Sequence, residues 1–240
     1  MTHPSNDSSD STAKSAIYSL LYCDKKARPC VIIFPGGGYQ HLAIDKEGTD
    51  IQAWAYRNNY HSVVLSYQVP PESPEDLFEE LEEIIRQLQT DPLFTTFYFI
   101  GFSAGAHLAC SLGTRLAKQI AGLILCYPVV TFTGKYAHIG SARNFLGASY
   151  STLIADTYSL ETLITPNTPP CFIWHTTGDQ SVPVENSLIL SQALINNNVP
   201  VELHLFPNGR HGMAMRNEDS SIYQWISLAE HWLNKQSGGI

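Results

Sequence analysis

Long apolar runs are missing from this chain: nothing in it approaches the roughly 18 consecutive apolar residues of a membrane-crossing helix. Basic charge is scarce too. The 14 lysines and arginines face 22 aspartates and glutamates, a formal net charge of -8, and they form no sustained basic run, which argues against nucleic acid or an anionic membrane as partner. Cysteine numbers only 5, an odd set that supplies no disulfide framework, and Cys30, Cys110, Cys126 and Cys171 sit in or beside apolar runs, as reduced core thiols do. No apolar block follows a basic start, so no secretory signal is visible. A cytoplasmic protein is expected, with a secreted protein trimmed of its signal as the alternative. The polar residues 1–12 are expected to be a disordered tail. Also absent are G-x-x-x-x-G-K-[ST], a G-x-G-x-x-G with an acidic ribose partner, and H-E-x-x-H. His41, His138 and His204 show no close ligand spacing, so neither a cofactor nor a metal is expected.

What is present is an ordinary globular composition, 44% hydrophobic and 15% charged over 240 residues, enough for one large core and a single domain over 13–240. Short apolar runs predict strands at Ala16 to Tyr22, Cys30 to Phe34, Ser62 to Ser66, Phe97 to Ile100, Gly122 to Cys126, Cys171 to His175 and Val201 to Phe206. Most are continuous rather than alternating, as in parallel strands buried on both faces. Helices are expected at Glu47 to Asn58, Asp76 to Leu88, Ala104 to Lys118, Pro183 to Asn196 and Ile222 to Lys235. In the second of these Leu77, Leu81, Ile84 and Leu88 form one apolar stripe. Strand and helix alternate, which predicts a three-layer α/β/α sandwich with a mostly parallel sheet and right-handed crossovers. The irregular segment 131–170 is expected to be a small cap-like insertion or pocket wall.

In such sheets ligands bind beyond the carboxyl ends of the strands, and three chemically useful residues fall there. Gly101-Phe102-Ser103-Ala104-Gly105 turns from the fourth strand into a helix, the setting of a nucleophile elbow, in which glycines remove side chains where strand and helix pass closest. The bland reading is a tight turn without chemistry. Asp179 follows the sixth strand, where it is an acid or a turn and capping residue. His211, in Gly209-Arg210-His211-Gly212, follows the seventh. The chain order of nucleophile, acid and base is that of α/β-hydrolases: His211 would take the proton of Ser103, and Asp179 would fix the imidazole tautomer. Pro35-Gly36-Gly37-Gly38-Tyr39 after the second strand is either a flexible turn or exposed backbone whose N–H, with that of Ala104, would hold an oxyanion. His107 is a packed residue or a support to the site, and His175 has a buried supporting role. Tyr39, Phe102, Tyr136, Phe145 and Tyr158 are packing residues or the lining of a modest entrance.

These pieces, with Glu47-Gly48, Tyr127-Pro128-Val129 and Pro169 to Asp179, resemble the small serine esterases of the α/β-hydrolase superfamily in the acetylxylan-esterase-like, endo-xylanase-B-like group. The likeness spans roughly residues 15–236. It implies Ser103 as nucleophile, His211 as base, Asp179 as orienting acid, and the N–H groups of Gly37 or Gly38 and of Ala104 as oxyanion hole. The implied substrates are small acetyl esters, among them acetylated xylo-oligosaccharides or sugars. Pro35 departs from the related hormone-sensitive-lipase-like esterases, which carry histidine before the glycines. An amidase or peptidase with the same triad, and a non-catalytic binding protein on the same fold, are the alternatives.

Overall fold

A computed structural model describes residues 17–216 and 222–238; the tail expected over 1–12 lies outside them. The seven strands are β1 (Ile17–Leu21), β2 (Arg28–Phe34), β3 (His61–Ser66), β4 (Phe94–Phe102), β5 (Gly122–Cys126), β6 (Cys171–Thr176) and β7 (Val201–Phe206). They form one sheet in the order β1-β3-β2-β4-β5-β6-β7. β1 pairs antiparallel with β3 and every other pairing is parallel.

Side chains alternate across a strand, so β2 splits its residues between two cores. Cys30, Ile32 and Phe34 point into one and Val31 and Ile33 into the other, all fully buried. The first core is roofed by α2 (Pro74–Leu88), α3 (Ala104–Arg115) and α7 (Glu185–Asn196), through residues such as Leu81, Leu108 and Leu190. The second is roofed by α1 (Asp50–Arg57) and α8 (Gln224–Gln236), through Trp54, Trp225 and Trp232. Trp225 stacks on Trp174 of β6 with centroids 5.0 Å apart, a contact worth about 0.5–1.5 kcal/mol beyond its buried area. The result is the α/β/α sandwich that the alternation predicts.

Boundaries moved for local reasons. α2 starts at Pro74 rather than Asp76 because Ser73 Oγ accepts the N–H of Asp76 at 3.1 Å and Pro74 occupies the first turn. β4 reaches Phe102, beyond the expected Ile100, because its pairings with β2 and β5 run on to Gly101 and Phe102. The helix expected over Glu47 to Asn58 is divided into a π turn at Asp45–Thr49 and then α1. Segment 131–170 carries the short helices α4 (Ile139–Leu146), α5 (Thr152–Thr157) and α6 (Leu160–Leu163). Its Phe132, Phe145 and Leu160 are fully buried in the first core.

Candidate active site

Ser103 sits between the end of β4 and the start of α3 with φ 55° and ψ -120°, a conformation in the positive-φ range that L-residues rarely adopt. The turn closes only because both flanking glycines lack a side chain. A Cβ on Gly101 would lie 2.5 Å from Gly105 O, and one on Gly105 would lie 2.2 Å from Phe34 O. Ser103 N–H is anchored on Cys126 O at 2.9 Å, and its hydroxyl donates to His211 Nε2 at 2.7 Å. The other ring nitrogen, Nδ1–H, donates to Asp179 Oδ2 at 2.6 Å. Ser103, His211 and Asp179 are therefore in one hydrogen-bonded line, although 108 positions separate Ser103 from His211 in sequence.

Asp179 is held from every side. Oδ1 accepts the N–H groups of Ser181 at 2.8 Å and Val182 at 3.0 Å, and Oδ2 also receives His175 Nε2 at 3.3 Å. His175 shares that N–H with Val182 O at 3.1 Å and accepts the Ser187 hydroxyl on Nδ1 at 2.8 Å, which assigns its tautomer. Burial alone raises the pKa of Asp179, but the bonds from His175 and His211 outweigh it and hold the carboxyl well below the usual range.

The glycine loop faces the same cavity. Gly37 has φ 133° and Gly38 φ 66°, both favoured by glycine. Their carbonyls are occupied, that of Gly37 by Gln40 and His41 N–H and that of Gly38 by Asn144 Nδ2 at 2.8 Å. The Gly36 N–H is spent on Glu47 Oε2 at 2.8 Å. Ala104 is the first residue of α3, where a backbone N–H has no intrahelical acceptor and the helix dipole is positive.

The cavity, about 300 Å³, is lined by Gly37, Gly38, Ser103, His138, Ser181 and His211, together with His41, Ala43, Lys46, Glu47 and Gly212. Its lining side chains are polar apart from Ala43, and none of the five aromatics considered for an entrance is among them: Tyr39, Phe102 and Phe145 are buried in the cores, and Tyr136 and Tyr158 stand outside the lining. His138, on the 131–170 segment, accepts the Ser141 N–H on Nδ1. Burial lowers its pKa, as does the charge of His211. His107 is fully buried and is a support rather than a cavity residue. It accepts the Tyr39 hydroxyl on Nδ1 and donates Nε2–H to Tyr158 O, both at 2.8 Å, and burial lowers its pKa to about 4. It thereby links the 131–170 segment to the residue that follows the glycines. His41, Lys46, His138 and Ser181 escaped sequence reasoning as cavity residues because they belong to three separate loops and no spacing joins them. Among the described residues no His, Cys, Asp and Glu cluster suits a metal ion, and no helix is long and apolar enough to cross a membrane.

The sequence profile of the prolyl oligopeptidase family matches residues 32–239. Endo-1,4-beta-xylanase B of Butyrivibrio fibrisolvens is 33% identical over 225 residues, 85% of this chain and 35% of that protein. The acetylxylan esterase of Xylanibacter ruminicola is 26% identical over 214 residues, 85% of this chain and 45% of its own length. The chain thus spans less than half the length of these two curated relatives. The acetyl ester-xyloside bifunctional hydrolase of Caldicellulosiruptor lactoaceticus superposes with a TM-score of 0.83 at 33% identity, covering 94% of this chain and 88% of that one.

Proposed function

The chain belongs to the prolyl oligopeptidase family of α/β-hydrolases, and from that premise we propose that it is a serine carboxylic-ester hydrolase acting on small acetyl esters. The observation that carries this reading is the line Ser103, His211, Asp179 opening onto a cavity of about 300 Å³. In the proposed reaction Ser103 Oγ attacks the ester carbonyl while His211 Nε2 takes its proton. The oxyanion is held by the N–H of Ala104 and those of Gly37 or Gly38; losing one such donor typically costs about 2.7–4 kcal/mol of transition-state stabilisation. The proton then passes from His211 to the departing alcohol. A water, deprotonated by the same ring, next cleaves the acyl-enzyme, so that ester and water become acid and alcohol. Asp179 holds the tautomer and stabilises the imidazolium.

An acetyl group is favoured because the cavity is small and Ala43 is its single apolar side chain beyond the glycines. Two relatives, an acetylxylan esterase and an acetyl ester-xyloside bifunctional hydrolase, favour acetylated xylo-oligosaccharides or sugars as the alcohol part. The 131–170 segment serves as a wall through His138. All five cysteines are free, four of them buried, in keeping with a cytoplasmic site of action. The prolyl oligopeptidase family takes its name from a peptidase, whose amide substrates the same relay would serve.

The test is initial-rate hydrolysis of p-nitrophenyl acetate, butyrate and octanoate, an acetylated xylo-oligosaccharide and a peptide p-nitroanilide, with Ser103→Ala as control. Serine-dependent turnover that falls as the acyl chain lengthens is expected. Turnover confined to the anilide would transfer the protein to the peptidases, and wild-type rates in Ser103→Ala would remove the nucleophile.

A further inference from the structure

We infer that Glu47 is a positioning residue whose single buried carboxylate fastens the glycine loop to the segment that carries His211; the inference rests on the ester-hydrolase reading. Glu47 is 2% exposed and lies in the π turn Asp45–Thr49, a kind of widened helical turn frequent at functional sites. Its two oxygens serve different loops. Oε2 accepts Gly36 N–H at 2.8 Å, one residue before the proposed oxyanion donors. Oε1 accepts the Tyr127 hydroxyl at 2.9 Å, and that hydroxyl accepts the Ala214 N–H at 3.1 Å. The Tyr127 ring packs edge-on against His211, centroids 4.9 Å apart. The loops after β2 and β5 therefore meet on the Glu47 carboxylate, and the loop after β7 joins them through the Tyr127 hydroxyl.

Packing alone does not account for it. A buried carboxylate is costly unless its lone pairs are satisfied, and an apolar residue would fill the space more cheaply. The neighbouring cation, Lys46, stands 3.9 Å from Oε1 and makes its short bond elsewhere, to Gly212 O at 2.7 Å, beside His211. The backbone around Glu47 is strained where it is tied: Tyr127 has φ 38° and Ala214 φ 48°, conformations that persist only when the surroundings over-determine them. A Cβ on Gly36 would lie 2.5 Å from Phe102 O and 2.8 Å from Glu47 Oε2, so the glycine lets the loop approach both β4 and the carboxylate.

Glu47→Gln keeps one acceptor where two are needed: with the amide oxygen on Gly36 N–H, the NH2 can only donate to the Tyr127 oxygen, and the hydroxyl proton is left without its acceptor. Tyr127→Phe keeps the ring and the Gly36 bond but cuts the link to Ala214. The experiment compares both with the wild type in kcat and KM for p-nitrophenyl acetate, in the rate of Ser103 labelling by a fluorophosphonate, and in thermal midpoint. Folded Glu47→Gln should lose roughly tenfold or more in kcat and in labelling rate with KM changed less than about threefold, and Tyr127→Phe at least about threefold in both rates. Folded variants whose kcat and labelling rate stay within about twofold of wild type would overturn the inference. Should Glu47→Gln fail to fold, Tyr127→Phe decides by the same criterion. A wild type that labels at Ser103 but turns over no ester defeats the ester reading alone, and the labelling rates still decide on Glu47. A wild type that does not label defeats both.

Discussion

Substituting asparagine for Asp179 changes neither shape nor volume, only which atoms donate. Oδ1 accepts two backbone N–H groups, from Ser181 and Val182, so the carboxamide oxygen must take that side; turned the other way, its NH2 would meet both of them. The amide nitrogen is thereby aimed at His211 Nδ1, 2.6 Å from the present Oδ2. It donates there, Nδ1 must give up its proton, and the proton is carried by Nε2, which faces Ser103 Oγ at 2.7 Å. The ring then offers Ser103 a donor where the reaction needs an acceptor. In serine proteases this exchange lowers kcat by about 10⁴, equivalent to about 5.5 kcal/mol in the barrier, and a loss of ~10³–10⁴ is expected here by the same reasoning. The fold should survive: the two backbone bonds persist and His175 retains Val182 O. Weakening the charge-assisted bonds to the carboxylate costs about 1.5–3 kcal/mol, a fall of several degrees in thermal midpoint for a chain of this length. Steady-state rates on p-nitrophenyl acetate, corrected for folded fraction, are the assay. An Asp179→Asn enzyme within about tenfold of wild type would refute the tautomer argument and with it the role of Asp179.

Two further outcomes follow from the geometry. Gly105→Ala forces a Cβ to within 2.2 Å of Phe34 O and 2.4 Å of Pro35 O; both are backbone atoms that cannot rotate away, so a destabilisation at or above the usual ~1–3 kcal/mol of overpacking is expected in urea melts, and an unchanged midpoint would show that the elbow has slack. Because the folded-state pKa of Asp179 is depressed, its stabilising contribution is complete above the unfolded value near 3.9 and drains away as pH falls below it. The wild type should therefore lose more urea resistance than Asp179→Asn between about pH 6 and pH 3, and parallel curves for the two proteins would contradict that linkage.

The parts of this molecule legible in the sequence are those in which one local pattern has one physical cause. Continuous runs such as Cys30 to Phe34 report burial on both faces, and β2 is buried on both faces. The elbow glycines are legible for the same reason, since the close approach at Gly101 and Gly105 involves backbone only a few residues away or on the adjoining strand. What was illegible is relational. Glu47 enters the sequence reading only within the Glu47-Gly48 pair of the family resemblance, without a role, and its place in a buried carboxylate bridge depends on Tyr127 and Ala214, 80 positions away and beyond. The cavity's polar wall escaped for the same reason: Tyr39 and Phe145, the natural guesses for an entrance, are drawn into an aromatic cluster with His107, their own centroids 4.6 Å apart. That cluster turns the expectation round. Aromatic mass lies behind the glycine loop, tied to its exit by the bond from Tyr39 to His107, and the cavity is lined by glycines, three imidazoles, Ser103, Ser181, Lys46, Glu47 and Ala43. On the proposed ester-hydrolase reading, side chains of that kind would hydrogen-bond a hydroxyl-bearing alcohol, so the acyl-length profile and the alcohol preference are two tests of one cavity.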